Sequence, residues 1–350
     1  MGEPLRELTS GIDSLYWSID AELPSVELER LTAHRALAEE VGEAVPFLLG
    51  GEEFAIQPFA FMGRYKFQLV HPHGRVGVTA SEHLPTVYIQ PNAEFLHGVG
   101  PEACTEWFNE VVSSLVPGGI PKVSRVDLFM DEQGWNPTPE MRDRFVTRSS
   151  HRRVYEDDRE MTALQFGKRG SGIHARIYHK SLEIELKGAV WVQDLWGERW
   201  LPGEPVWRIE AEIRREVIVQ LGIDTLDDLF ANVGGIWGYF TDWLSLRIPT
   251  DDETRSRWPI DPVWAAVSQA SLRNGAAGLQ RTYGVKREAS LRRIVVVMRG
   301  YISSYAAIID EPEIDRLGPC LTSVLYEWEI ETGDPFSWQY ERKKRRYGLP

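Results

Sequence analysis

Three segments of this chain alternate apolar and mostly charged residues with the period of a strand that has one face buried and one face charged. In residues 124–131, Val126, Leu128 and Met130 share one face, and Arg125, Asp127, Phe129 and Asp131 share the other. In residues 173–180, Ile173, Ala175 and Ile177 oppose His174, Arg176, Tyr178 and Lys180. In residues 206–214, Trp207, Ile209, Ala211 and Ile213 oppose Arg208, Glu210, Glu212 and Arg214. Side chains alternate across a strand with period two, so each set lines one face of a sheet.

Other strand-like runs fall at 15–19, 65–70, 75–80, 86–89 and 161–166. A helix is expected over 101–115, opened by Pro101 and stopped by Pro117-Gly118-Gly119, and another over 139–146. From Glu216 onward the spacing turns helical, over 217–221, 226–246, 263–272, 289–309 and 320–331, with breakers at Pro249, Pro259, Pro262, Gly318 and Pro335. This order predicts an α+β fold: an antiparallel sheet with helices on one face, followed by a helical C-terminal region. The expected boundary divides a sheet domain, 1–250, from a helical region, 251–350, at the stretch between Pro249 and Pro262.

If the three alternating strands share a sheet, one face collects two aspartates, two glutamates, several arginines and a tyrosine. Like charges at this density repel. Interleaved arginines or a bound divalent cation can relieve the repulsion. Mg²⁺ prefers oxygen ligands and keeps waters that a phosphate can replace, and arginine forks match phosphate oxygens. A tyrosine among such groups can attack phosphorus once a base or metal eases loss of its proton. The same alternation is also what a solvated sheet face looks like.

The segments VSRVDLFMD (123–131), LQFGKRGSG (164–172), IHARIYHKSLE (173–183) and VWRIEAEIRRE (206–216) occur in that order. Together they resemble the replication-initiation-factor family: rolling-circle initiators of plasmids and phages, and relaxases of some conjugative elements. Ser124, Lys168 and His179 depart from that pattern. The resemblance implies that Tyr178 is a nucleophile that becomes joined to DNA as a 5′-phosphotyrosine and frees a 3′-OH. It makes Asp127, Asp131, Glu210 and Glu212 the candidate ligands of a divalent metal, Mg²⁺ or Mn²⁺. Arg125, Arg176, Lys180 and Arg208 would then position phosphate or stabilise the charge that builds on it, Arg176 and Lys180 beside the tyrosine; Lys168 and Arg169, on a basic β-connection, are expected to bind DNA. The implied partners are DNA at an origin or transfer origin, single-stranded or cruciform at the nick, and a second copy of the chain; a host helicase is expected because no nucleotide-binding motif appears in the sequence. A relaxase with the same chemistry, a DNA-binding regulator that no longer cuts, and a carboxylate–metal nuclease using water are the competing readings.

The net charge of −13 argues against indiscriminate coating of nucleic acid. Basic residues nevertheless gather at 168–180, at 281–299 (Arg281, Lys286, Arg287, Arg292, Arg293, Arg299), and at 342–346. No run reaches the roughly 18 apolar residues of a membrane span, the start MGEPLRELTS carries no apolar signal core, and Cys104 and Cys320 match no metal or redox spacing. A cytoplasmic protein is therefore expected. His71-Pro72-His73 imitates a paired-histidine metal motif, but the intervening proline and the following Gly74 favour a hairpin turn. Gly167–Gly172 lacks the order of a phosphate loop and reads as a basic β-connection. Trp237, Tyr239, Phe240 and Trp243 fall at helical spacing and read as core, and His174 shares the face of Tyr178, where it could accept a proton.

Overall fold

The three alternating strands lie side by side in one antiparallel sheet of eleven strands. The structure, a computed structural model, describes residues 5–158, 160–273, 279, 298, 302–303, 305–333 and 335–346. Its strands are β1 (Arg6–Asp20), β2 (Val45–Leu49), β3 (Glu52–Ile56), β4 (Phe67–His71), β5 (Gly74–Val78), β6 (Val87–Pro91), β7 (Ile120–Gln133), β8 (Phe145–Thr147), β9 (Arg152–Asp157), β10 (Glu160–Phe166), β11 (Ile173–His179), β12 (Trp207–Arg214) and β13 (Leu244–Leu246). The sheet runs β2-β3-β4-β5-β6-β1-β7-β12-β11-β10-β9, and β8 pairs separately with β13. Register places Arg176 of β11 opposite Glu210 of β12, and Glu212 of β12 opposite Asp127 of β7.

One face is apolar, as the alternation requires. Leu15, Trp17, Val126, Leu128, Ile177 and Ile209 merge there into a single core with residues from α3 (Pro101–Val111), α5 (Arg215–Gln220) and α6 (Leu226–Trp243). A Thr225/Asp228 capping box starts α6 by satisfying orphan amides reciprocally. Trp237 and Phe240, on its inner side, are fully buried. The charged face is not left open along its whole length. Helix α4 (Lys180–Lys187) and the 3-10 segment Val190–Arg199 cover one end of it, around a second small core of Leu8, Ile184, Val192, Trp196 and Val206.

Several expectations shift. The helix expected over 139–146 is a short 3-10 turn, Pro139–Arg144, followed by β8, because Phe145 and Val146 extend to pair with β13. The same pairing ends α6 at Trp243 and gives its expected last residues, 244–246, to β13. Strands β2, β3 and β9 and helices α1 (Ser25–Val41) and α2 (Ala93–Val99) are additional. The chain divides into compact units Met1–Thr282 and Tyr283–Pro350, not at 250/251. The physical reason is α7 (Pro262–Ser268), which docks on α6: Trp237 Nε1 donates to the Val267 carbonyl at 2.9 Å, and Trp264 Nε1 donates to the Thr241 carbonyl at 3.1 Å.

The second unit, taken by itself, contains α8 (Ile314–Thr332) and α9 (Phe336–Arg346). The basic cluster at 281–299 and most of the helix expected over 289–309 lie outside the described residues. Among the described residues, no helix is long and apolar enough to cross a membrane.

Candidate active site

The charged face of β7, β12 and β11 forms the floor of a cleft of about 440 Å³. Asp127, Arg176, Tyr178, Lys180, Arg208 and Glu210 line it, together with Asp13 of β1, His97 of α2 and Glu183 of α4. Strand β11 delivers Arg176 and Tyr178 two residues apart on one face. It ends at His179, whose Nδ1 accepts the Leu182 amide and caps α4. Lys180 thus belongs to a helix rather than a strand, yet it still points into the cleft, with its ammonium 5.6 Å from the Tyr178 ring centre. It pairs with Glu183 at 2.5 Å.

The centre of the site is the Tyr178 hydroxyl, which donates to Glu210 Oε2 at 2.9 Å. The other oxygen of Glu210 accepts from the Arg176 guanidinium, which also lies 3.5 Å from Asp127 Oδ2. Burial and the adjacent Glu210 carboxylate push the Tyr178 hydroxyl well above its usual range, against the pull of Arg208. Burial also raises the Glu210 carboxyl, as does Asp13, although Arg176 and Arg208 oppose the shift. Asp127 is pushed up to about 7 by burial, with Glu210 adding to the rise and Arg125 opposing it.

Arginines separate the carboxylates. Arg125 bonds Asp127, with Nε to Oδ1 at 2.7 Å, and reaches Glu212 at 3.1 Å. Arg214 takes the other side of Glu212 at 2.6 Å. Arg208, 1 % exposed, grips Asp131 through Nε at 2.6 Å and Nη2 at 2.8 Å, and its remaining amino group bonds Asp13. Trp196 Nε1 closes the set on Asp131 at 2.8 Å. The guanidinium expected to bind phosphate is therefore a buried strut beneath the cleft.

The four carboxylates do not converge as a metal set. Asp131 faces Arg208 and Trp196, and Glu212 faces Arg125 and Arg214. Among the described residues, no group of three or more His, Cys, Asp or Glu is arranged to hold a metal ion. The residues as they stand fit guanidinium pairing rather than a divalent cation, and no chemical step below runs through a metal.

Lys168 and Arg169 sit on the exposed β10–β11 connection, outside the cleft lining. His174 is also outside it. Four residues along an extended strand put it roughly 13 Å from Tyr178, which removes it as the proton acceptor. Burial, helped by Arg176, lowers its basicity, and its Nδ1 has no partner. His71-Pro72-His73 forms the β4–β5 hairpin turn, where the His73 ring stacks on Phe95 at 3.8 Å.

Asp13 and His97 are cleft residues that the alternation does not reveal. Asp13 is the extra residue of a β-bulge between Ile12 and Ser14, which turns its carboxylate into the cleft. There, burial works against its charge, but Arg208, with His97 and Lys180, holds its carboxyl far below the usual range. His97 Nε2 approaches Asp13 at 3.5 Å.

No protein-family model and no curated protein matches the chain. A solved structure described as a rolling circle replication initiator protein from Geobacillus stearothermophilus is similar to it at 16% sequence identity and a TM-score of 0.42, over 77% of this chain and 98% of that one.

Proposed function

We propose that the protein cuts one strand of DNA by attack of the Tyr178 hydroxyl on a backbone phosphorus, as a replication initiator does at an origin. The observation that carries this reading is the 2.9 Å bond from the Tyr178 hydroxyl to Glu210 inside a cation-bearing cleft. The sequence resemblance of residues 124–216 supports it. In the attacking step the phenolic oxygen bonds to phosphorus while its proton passes to Glu210. The bond from phosphorus to the 3′ oxygen breaks, the 3′ oxygen takes a proton from solvent, and the 5′ phosphate stays on the tyrosine. Re-attack by a 3′-OH reverses these bonds and reseals the strand.

Each group has a physical task. A tyrosine held so far above its ordinary pKa is protonated at neutral pH, so it needs a base within hydrogen-bond reach. Glu210, with its own affinity for a proton raised by burial, can both receive and return that proton. Arg176 and Lys180 place positive charge beside the hydroxyl, where charge builds on the phosphate oxygens in the transition state. Arg208, Asp131, Asp13 and Trp196 hold the floor rigid. Strand opening would fall to a host helicase, and a relaxase acting at a transfer origin would use the same residues and bonds.

Digestion of protein incubated with single-stranded DNA from its own source replicon, followed by peptide mass spectrometry, tests the assignment. The expected result is a deoxynucleotide adduct on the peptide bearing Tyr178. Cleaved DNA with a free 5′ phosphate and no modified peptide would replace tyrosine attack by water attack.

A further inference from the structure

Beyond the cleft, the same face of the sheet continues across β1, β6 and β5, and its character changes from charged to aromatic. Ser14 of β1 lines the cleft. Two residues on, Tyr16 points to the same face, opposite Arg125 in register, with the Arg125 guanidinium 5.0 Å from the ring centre. Tyr88 of β6 follows, its ring 6.5 Å from Tyr16. Tyr65 and Phe61, at 5.6 and 6.3 Å from Tyr88, are buried and back the row rather than extend its open surface.

Tyr65 and Phe61 belong to the loop 57–66, which folds down onto the sheet over Gly77. A Cβ at that position would stand 2.5 Å from Phe61 and 2.9 Å from Tyr65, so the glycine is what lets the two rings seat there.

The tip of this loop is exposed, apolar and strained. Phe59 is 57% and Met62 61% exposed. Met62 takes a left-handed backbone, φ 52°, which a side chain with a Cβ adopts at a cost. Gln90 holds it there through a contact from Nε2 to the Met62 sulfur at 3.6 Å. Arg64 and Arg75 are exposed, and among the described residues neither forms an ion pair with a carboxylate; Arg75 lies 5.7 Å from the Phe61 ring centre and donates to Gln90 Oε1 at 3.4 Å. This contrasts with the arginines of the cleft, each of which is committed to acids. An aromatic row with an apolar loop tip, bordered by cations free of carboxylates and continuous with a phosphate-cutting cleft, matches unstacked bases on a polyanionic backbone.

We infer that Tyr16, Tyr88 and the exposed tip of the loop 57–66, Phe59 and Met62, form a binding track for single-stranded DNA, seated on the buried Phe61 and Tyr65 rings, on which bases flanking the scissile phosphate stack while Arg64 and Arg75 meet its backbone. The inference rests on the reading of the cleft as a DNA-cutting site. It also explains how an acidic chain engages DNA: the cations are local, and stacking carries the remainder. Duplex DNA, whose bases are already stacked, gains nothing from such a surface.

The test measures binding of a fluorescent oligothymidylate of about 20 nucleotides by anisotropy over a salt series, for wild type, Tyr16→Leu, the double variant Phe59→Ser/Met62→Ser, Arg75→Gln and Tyr178→Phe. Circular dichroism and light scattering are recorded on each. The loop-tip double variant alters only exposed side chains and so keeps the test independent of folding. Loss of a stacking ring is expected to weaken binding about 5- to 150-fold, and Arg75→Gln to lower the salt slope by about one ion. Tyr178→Phe should bind as wild type does, so a protein that binds through the row yet never cuts would sink the nicking reading and leave the track standing. Affinities within twofold of wild type in both stacking variants, with cutting intact, would overturn the track and leave the nick. A change in oligomeric state in the loop-tip variant without a change in affinity would overturn it in favour of a face for a second copy of the chain.

Discussion

Replacing Glu132 by glutamine should make the protein markedly more stable at alkaline pH and little changed near pH 5. Glu132 of β7 is completely buried. One carboxyl oxygen accepts the Trp135 amide at 3.1 Å, and the other has no partner. Burial pushes the carboxyl up to about 8; the Trp135 amide pulls it down, and Asp131 adds to the rise. In the unfolded chain the same group titrates near about 4.3. The native state therefore holds a proton that the unfolded state has released, and stability falls as pH climbs, until the native carboxyl also ionises near 8. Between pH 5 and 8 this amounts to three pH units at about 1.4 kcal/mol each, or about 4 kcal/mol. Urea unfolding of both proteins at pH 5 and pH 8.5 measures it. The wild type should lose about 4 kcal/mol more than Glu132→Gln over that interval. A difference under about 1 kcal/mol would mean that the buried carboxylate is already ionised and solvated, refuting the assignment of a neutral acid.

Further outcomes follow from the site. Glu210→Gln keeps a hydrogen-bonding partner for Tyr178 but cannot take its proton, so single-turnover adduct formation should slow by about 10²- to 10⁴-fold with oligonucleotide binding retained; an unchanged rate would remove Glu210 as the base. In the wild type the same rate should rise with pH through the raised range of Glu210, because only its ionised form accepts the proton. Arg208→Met strands Asp131 and Asp13 without their shared cation and should cost about 3–5 kcal/mol in urea unfolding; a loss below about 1 kcal/mol would show that Arg208 is not the strut described. Arg176→Ala removes the guanidinium between Asp127 and Glu210 and should raise affinity for Mn²⁺ in calorimetric titration; equal affinity in variant and wild type would show that Arg176 is not what keeps a cation out.

How far the sequence reveals each part of the fold and site depends on the physics that places it. Strands β7, β11 and β12 show in the sequence because one of their faces is core and the other is charged. The same alternation placed Asp127, Arg176, Tyr178 and Glu210 on one face. The residues brought in by irregular backbone did not show. Asp13 reaches the cleft only through a bulge whose position depends on pairing with β7, and α2 brings in His97 from a seven-residue helix with one buried side chain. Arg208 looks like its neighbours in the sequence, and only tertiary burial separates a strut from a phosphate ligand. Helix α1 buries just Leu31 and Ala38, too few for a readable apolar stripe. The segment 139–146 carries helical spacing, but pairing of β8 with β13 overrides it. The crowding of carboxylates called for either arginines or a cation, and that choice lay in side-chain geometry the sequence does not contain.

The most direct test of the account is covalent attachment. Purified protein is incubated with supercoiled DNA of its own source replicon, with Mg²⁺ or Mn²⁺ and with chelator, beside Tyr178→Phe, and resolved on a denaturing gel that retains protein–DNA adducts. The account predicts a single-strand nick and an adduct from the wild type, and neither from Tyr178→Phe. Nicking that survives in Tyr178→Phe without any adduct would contradict it.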